Sequence, residues 1–121
     1  MTYDSLAVVE SESTAGVSFT IAKISFGRRI ELLRLIRDLA AKAEFLDAGN
    51  STDEKLEGAL LSAQIDRLYL SWGIVKIEGL DIDGCPATPE LLASAGPEVL
   101  FQEAVTAVKR QCGLSDEERK N

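Results

Sequence analysis

Acidic residues in the second half of the chain are spaced partly as in a calcium-binding loop. The segment Asp81–Gly84, followed by Glu90 six residues after the glycine, resembles the second half of such a loop. The match then fails, because the first ligand position falls on Gly79 and Pro86 stands where the loop needs a backbone amide donor. We therefore expect a hairpin turn with solvated carboxylates, and no metal ion, at this segment.

The residue types that most catalytic sites need are missing or unsuitably placed. The 121 residues include no histidine, which removes the commonest general base, the commonest zinc ligand and the Ser-His-Asp triad. The adjacent carboxylates Asp53/Glu54 and Glu117/Glu118 fall at expected helix N-termini, where the helix dipole explains them. No glycine-rich phosphate-binding motif occurs. The sequence thus predicts no catalytic, cofactor-binding or metal-binding residue, and a protein that is not an enzyme.

Basic residues gather between positions 23 and 42 of an otherwise acidic chain. They are Lys23, Arg28, Arg29, Arg34, Arg37 and Lys42, and the acidic residues among them are Glu31 and Asp38. Arg34 and Arg37 share one face of the predicted helix. That face is either an ordinary solvated surface or a contact with an anionic groove on a protein partner.

The sole tryptophan, Trp72, follows the apolar segment Leu68–Ser71. Tryptophan is enriched in interface hot spots and is also the largest residue available to a core, so both interpretations stay open. The helix that ends near Trp72 is apolar over more than half its circumference at its C-terminal end, which is either buried in the core or faces a partner. From these features we predict a partner-binding surface. Its residues are Arg28, Arg29, Arg34, Arg37, Leu61, Leu68 and Trp72.

The composition is typical of a globular protein, and the net charge disfavours some classes of partner. Apolar residues make up 45% and charged residues 27%, and 121 residues suffice for one core. The net charge of −7 disfavours nucleic acid and anionic membranes, because an acidic protein repels phosphates. The N-terminus lacks a signal-peptide pattern and no apolar run reaches membrane-span length, so we expect a cytoplasmic protein.

The first half of the chain predicts a strand followed by two helices. Alternating residues with β-branched and aromatic side chains indicate a strand over 17–26. Over 28–48 the period becomes helical, with one apolar stripe that Leu33, Leu35, Ala40 and Phe45 widen. The stripe consists of Leu32, Ile36, Leu39, Ala43 and Leu46. Ser51–Glu54 is a capping box that opens a helix over 52–72.

The second half predicts a β region followed by two more helices. Ile and Val residues over 74–85 indicate one or two strands, with a tight turn at Asp83-Gly84. Thr88 and Pro89 suit the N-cap and first position of a helix over 88–95, and a longer helix follows over 97–112. Gly113-Leu114 and Ser115–Glu118 resemble a helix C-cap and a further capping box.

These elements predict an α+β fold, a small antiparallel sheet packed against about four helices. Residues 17–121 would form a single domain, and residues 1–16 a flexible arm or a short strand. In that arm the segment Leu6–Val9 has the strand character.

Five segments from Tyr69 to the chain end resemble small proteins of bacteriophage and prophage tail regions, loosely the tail assembly chaperones. They read YLSWG (69–73), EGLDIDG (78–84), PATPELL (86–92), GPE (96–98) and GLSDEERKN (113–121). The segment SFGRR (25–29) adds to the resemblance. The resemblance implies a non-enzymatic cytoplasmic protein, which keeps the long tape measure protein soluble until tail subunits polymerise around it.

Three functional hypotheses follow. The first is an assembly chaperone that binds a larger tail protein, such as the tape measure protein, by helix-in-groove contacts through the second helix and the Arg34/Arg37 face. The second is a structural head–tail connector or other virion component. The third is a regulator or enzyme of unknown class. Exposed apolar surface would also favour a homo-oligomer.

Overall fold

A computed structural model describes residues 1–47 and 51–112. It has an α+β fold with four helices, a three-stranded antiparallel sheet and a two-stranded sheet, so the predicted fold class is confirmed. The strands are β1 Leu6–Glu10, β2 Ser18–Ala22, β3 Ile74–Glu78, β4 Asp81–Ile82 and β5 Cys85–Pro86. The helices are α1 Phe26–Asp47, α2 Thr52–Gly73, α3 Pro89–Ala95 and α4 Glu98–Gln111. No helix in the described ranges combines the length and apolar character of a membrane span.

The chain divides into two compact units. The first, the sheet unit, comprises residues 1–24 and the chain from Tyr69 onward; the second, the helical unit, is Ser25–Leu68. Most of α2 therefore belongs to the helical unit and its last turn to the sheet unit. The sequence predicted one domain over residues 17–121 and did not indicate this division. The single domain stays a prediction.

The main sheet has the strand order β1-β2-β3, with β2 in the centre. Opposite Phe19 in the middle strand lie Val9 of β1 and Ile77 of β3, so these three side chains share one face. Phe19 is completely buried and Ile77 nearly so, whereas Leu6 and Val8 on the other face of β1 are exposed. Residues 6–10 of the predicted arm or strand therefore form the edge strand of this sheet.

Strand β2 is shorter than predicted. It ends at Ala22, and α1 begins at Phe26 rather than at residue 28. The Ser25 hydroxyl accepts a hydrogen bond from the backbone N–H of Arg28 at 3.2 Å, as an N-cap does. The cap fixes the start of the helix four residues after the strand, so Phe26 lies in the first turn of α1.

Helix α4 provides the main helical cover of the middle strand. Its buried residues repeat at helical spacing; they are Leu100, Ala104, Val105, Ala107 and Val108. Val99, which precedes Leu100 in the sequence, lies on another side of the helix and is 65% exposed. Gly73 ends α2 so close to α4 that a Cβ atom there would overlap the Val108 side chain.

The turn signals of the second half are confirmed. Strands β4 and β5 form a hairpin, and Asp83 and Gly84 between them have φ values of +52° and +81°. Two successive positive φ values are the requirement of a type I′ turn, which Asp-Gly satisfies well. Thr88 caps α3 by accepting a hydrogen bond from the Leu91 N–H at 3.1 Å, with Pro89 at its first position.

The capping box at the start of α2 forms with altered partners. The Ser51 hydroxyl accepts from the Glu54 N–H at 3.1 Å, as predicted. The same hydroxyl also donates a hydrogen bond of 2.9 Å to the Glu54 carboxylate. The proposed C-cap at 113–114 and capping box at 115–118 lie outside the described residues.

Candidate partner-binding surface

Helix α1 carries two apolar stripes on different sides. Of the predicted stripe, Leu32 and Ala43 are buried and Ile36, Leu39 and Leu46 are partly buried, so that stripe faces inward. A second set at 4-3-4 spacing begins in the first turn and lies roughly 130° around the helix. This set, which we call the α1 outer stripe, is Phe26, Ile30, Leu33 and Arg37.

The α1 outer stripe is open to solvent. Phe26 is 84% exposed, Leu33 50% and Ile30 36%. Of the residues predicted to widen the apolar face, Ala40 is partly buried, whereas Leu33, Leu35 and Phe45 are exposed and do not join the buried side. Periodicity alone placed these residues beside the inward stripe, but a helix can bury only the side that another part of the chain covers.

The exposed arginines give the α1 outer stripe a positive end. Arg34 and Arg37 are both exposed. The Arg37 Nε atom lies 3.3 Å from Asp38 Oδ1, with side chains 75% and 87% exposed, so water screens this pair strongly. Arg28 and Arg29, the other predicted arginines, are partly buried and already interact within the chain. Of the four predicted arginines, Arg34 and Arg37 are therefore the two most available to a partner.

Helix α2 repeats the pattern. Leu56, Leu60, Ala63 and Arg67 stand at 4-3-4 spacing, all exposed, and form the α2 outer stripe. Leu56 and Leu60 are 60% and 59% exposed. The inward side of α2 lies roughly 150° away. It holds the buried Gly58 and Leu61 and the partly buried Ile65 and Leu68.

Three predicted contact residues of α2 are less accessible than the outer stripe. Leu61 is 6% exposed, so in the chain alone its side chain is buried. Leu68 and Trp72 are partly buried, and Trp72 lies in the part of α2 that belongs to the sheet unit. Partner contact through these three residues stays a prediction, while the neighbouring Leu56 and Leu60 are the leucines that α2 presents to solvent.

The helical unit is poor in buried residues for its length. In its described part the buried apolar side chains are Leu32, Ala43 and Leu61. Its large exposed apolar side chains are more numerous, namely Phe26, Ile30, Leu33, Leu35, Phe45, Leu56 and Leu60. Burying one such side chain stabilises a complex by about 1.5–3 kcal/mol before ordering costs. Exposed apolar side chains that share one side of a helix mark a candidate interaction site.

One carboxylate of the sheet unit has a shifted pKa, and its surroundings explain it as structural. Burial raises the pKa of Glu103, but hydrogen bonds from Ser11, Ser13 and Glu12 outweigh burial and hold the pKa below its usual value. The donors are the hydroxyls of Ser11 and Ser13 and the backbone N–H groups of Glu12 and Ser13. A carboxylate held ionised in this way fastens the β1–β2 loop to α4 and is poorly suited to donate a proton.

The described residues show no cluster of three or more His, Cys, Asp or Glu side chains that would hold a metal ion. The sequence contained the signal for both outer stripes, since the 4-3-4 spacing is visible at Phe26 and again at Leu56. The predicted surface omits Phe26, Ile30, Leu56 and Leu60, and Phe26 was assigned to the end of the strand predicted over 17–26. The comparisons identify no relative: no protein-family model, no curated protein and no solved structure matches this chain.

Proposed function

We propose that this chain is a non-enzymatic assembly chaperone that binds an apolar helical segment of a larger protein, in the manner of phage tail assembly chaperones. The observation that carries the proposal is the α1 outer stripe, three exposed apolar side chains at helical spacing that end beside Arg34 and Arg37. Apolar anchors at i, i+4 and i+7 are the pattern by which helices recognise one another.

The charge distribution supports a partner with acidic residues beside its apolar face. Between Phe26 and Asp38 four arginines stand against two carboxylates, although the whole chain has a net charge of −7. Arg34 and Arg37 would meet carboxylates on the partner, and the acidic remainder of the chain would keep the complex in solution. Such a surface binds and shields, and it requires no catalytic group.

The identity of the partner rests on the resemblance of residues 69–121 to tail-region proteins. In that setting the partner is a large tail protein such as the tape measure protein, and the place of action is the cytoplasm of the bacterial host. The α1 outer stripe supplies the contact that this role requires, because a tape measure protein is long, helical and apolar.

The test is a pull-down of the tagged full-length chain from its host during phage or prophage induction, with the bound proteins identified by mass spectrometry. We expect one large, helix-rich tail protein as the dominant partner. The variant Arg34→Glu/Arg37→Glu should lose most of it while its thermal unfolding stays near that of the natural chain, because both side chains are exposed.

A matched control is Lys42→Glu/Lys55→Glu, which changes the net charge equally at exposed positions away from both outer stripes. It should retain the partner. Equal loss in both variants would show a general charge effect and contradict the assignment to α1. Recovery of unrelated metabolic proteins would contradict the chaperone proposal itself.

Purified particles distinguish the chaperone from a structural virion component. An assembly chaperone leaves before the tail is complete, so quantitative mass spectrometry of particles should find far less than one copy per virion. A fixed stoichiometric amount would instead favour the head–tail connector hypothesis.

A further inference from the structure

The outer stripes of α1 and α2 are complementary in charge. The outer side of α1 ends in Arg34 and Arg37, and four arginines stand against two carboxylates over Phe26–Asp38. The first turns of α2 have the opposite sign, with Asp53, Glu54 and Glu57 against Lys55. Asp53 is exposed and stands three residues before Leu56, so it extends the α2 outer stripe at its N-terminal end.

The two stripes also match in length and in residue size when they run antiparallel. From Phe26 to Arg37 α1 rises about 16.5 Å, and from Asp53 to Ala63 α2 rises about 15 Å. Aligned at Arg37 and Asp53, the stripes place apolar residues of similar size next to each other twice, and a large residue next to a small one once. The remaining neighbours are Leu33 with Leu56, Ile30 with Leu60, and Phe26 with Ala63.

We infer that the helical unit associates with a second copy of this chain, α1 of one copy lying antiparallel along α2 of the other. A two-fold axis makes the contact twice, since each copy offers both stripes. Both contacts bury exposed apolar side chains and pair Arg37 with Asp53 of the second copy. The inference goes beyond the proposed function, because it needs no larger partner, and the same contact would cover the α1 outer stripe until such a partner displaces it.

The first measurement is the mass of the purified full-length chain by analytical ultracentrifugation between about 1 and 100 μM. We expect a concentration-dependent dimer. A monomer throughout this range would overturn the inference while leaving the pull-down from the host unaffected.

Charge-exchange variants then test the pairing. Arg37→Asp places two carboxylates together in each contact of its dimer, and Asp53→Arg places two cations together. Each variant alone should dissociate about tenfold more readily than the natural chain. When the two are mixed, both contacts regain an opposite pair, so a heterodimer should form with nearly the original affinity.

The mixture also separates pairing from misfolding, because a variant that fails to fold cannot be rescued by a second variant. The control is Lys42→Asp, an exposed position on another side of α1, which should leave the dimer intact. A dimer unaffected by Arg37→Asp and Asp53→Arg would place the association elsewhere, and a mixture that stays monomeric would refute the antiparallel pairing.

Discussion

The sheet unit and the helical unit differ in where they keep their apolar side chains. Among the described residues nineteen apolar side chains are buried, and three of these lie in the helical unit, so the main core belongs to the sheet unit. Of the described residues, the helical unit exposes seven large apolar side chains and buries three, whereas the sheet unit exposes six large ones and buries sixteen. The difference separates two tasks, because buried surface stabilises the chain and exposed apolar surface is available for binding.

A matched pair of phenylalanines gives the largest expected contrast between the units. Phe19 in β2 is 0% exposed and Phe26 in α1 is 84% exposed. Phe19→Ala should lower the free energy of unfolding by about 3–5 kcal/mol, since it removes a buried ring and leaves a cavity. Phe26→Ala should change it by less than about 0.5 kcal/mol.

Urea unfolding followed by circular dichroism measures both variants, at a protein concentration low enough for the chain to be monomeric, because association would otherwise add to the free energy of unfolding. Phe26→Ala should nevertheless weaken dimer formation and partner binding, since Phe26 begins the α1 outer stripe. A large stability loss from Phe26→Ala would mean that α1 buries both of its apolar sides, and the division of tasks would fail.

Replacing a glycine by alanine should change stability in opposite directions in the two units. Gly79, in the sheet unit, has φ +81°, and a Cβ atom there would overlap the backbone carbonyl oxygen of Gly16. Gly79→Ala should therefore destabilise the protein by about 1–3 kcal/mol. Gly27 lies in the first turn of α1 with nothing near its added Cβ, so Gly27→Ala should stabilise it by about 0.5–1 kcal/mol.

Differential scanning calorimetry measures both changes, since each alters the midpoint of thermal unfolding by a few degrees. If Gly27→Ala also lowers the midpoint, the N-terminal turn of α1 is more closely covered than its open surroundings indicate. If Gly79→Ala has no effect, the backbone that follows β3 must be able to move away from Gly16.

Local signals in the sequence predicted the elements well. The 4-3-4-3 stripe predicted α1, because a helix needs a continuous apolar side to be covered. Thr88-Pro89 predicted the start of α3, and Asp83-Gly84 predicted the hairpin turn, since few other residues accept two positive φ values. Each of these features depends on residues a few positions apart.

Long-range contacts decided what the sequence left open. Leu60 and Leu61 are adjacent and chemically identical, yet one is 59% exposed and the other 6%. Periodicity identifies the sides of a helix but cannot say which side another part of the chain covers. Strand β1 also depends on a long-range contact. Its five residues are too few to predict a strand firmly, and they form one because they pair with β2.

The smallest expected effect concerns the loop that Glu103 fastens in the sheet unit. The Glu12 and Ser13 N–H groups donate to Glu103 Oε2 at 3.0 and 3.1 Å. Hydrogen bonds hold the pKa of Glu103 below its ordinary value of 4.5 in the folded chain. A depressed folded pKa contributes stability that is complete above 4.5 and is lost as the pH falls through the folded pKa. Because the carboxylate is partly exposed, we expect about 1 kcal/mol or less.

Nuclear magnetic resonance measures this link directly, since the amide proton shifts of Glu12 and Ser13 should titrate together with a midpoint below 4.5. Glu103→Gln should abolish that titration and make unfolding less dependent on pH below 4.5, whereas Glu57→Gln, at an exposed position of the helical unit, should change neither. Amide shifts that titrate unchanged in Glu103→Gln would assign the acid sensitivity to another carboxylate. A confirmed titration would show that the sheet unit gains fixed geometry from a polar contact as well as from its core, while the helical unit keeps its outer side open for binding.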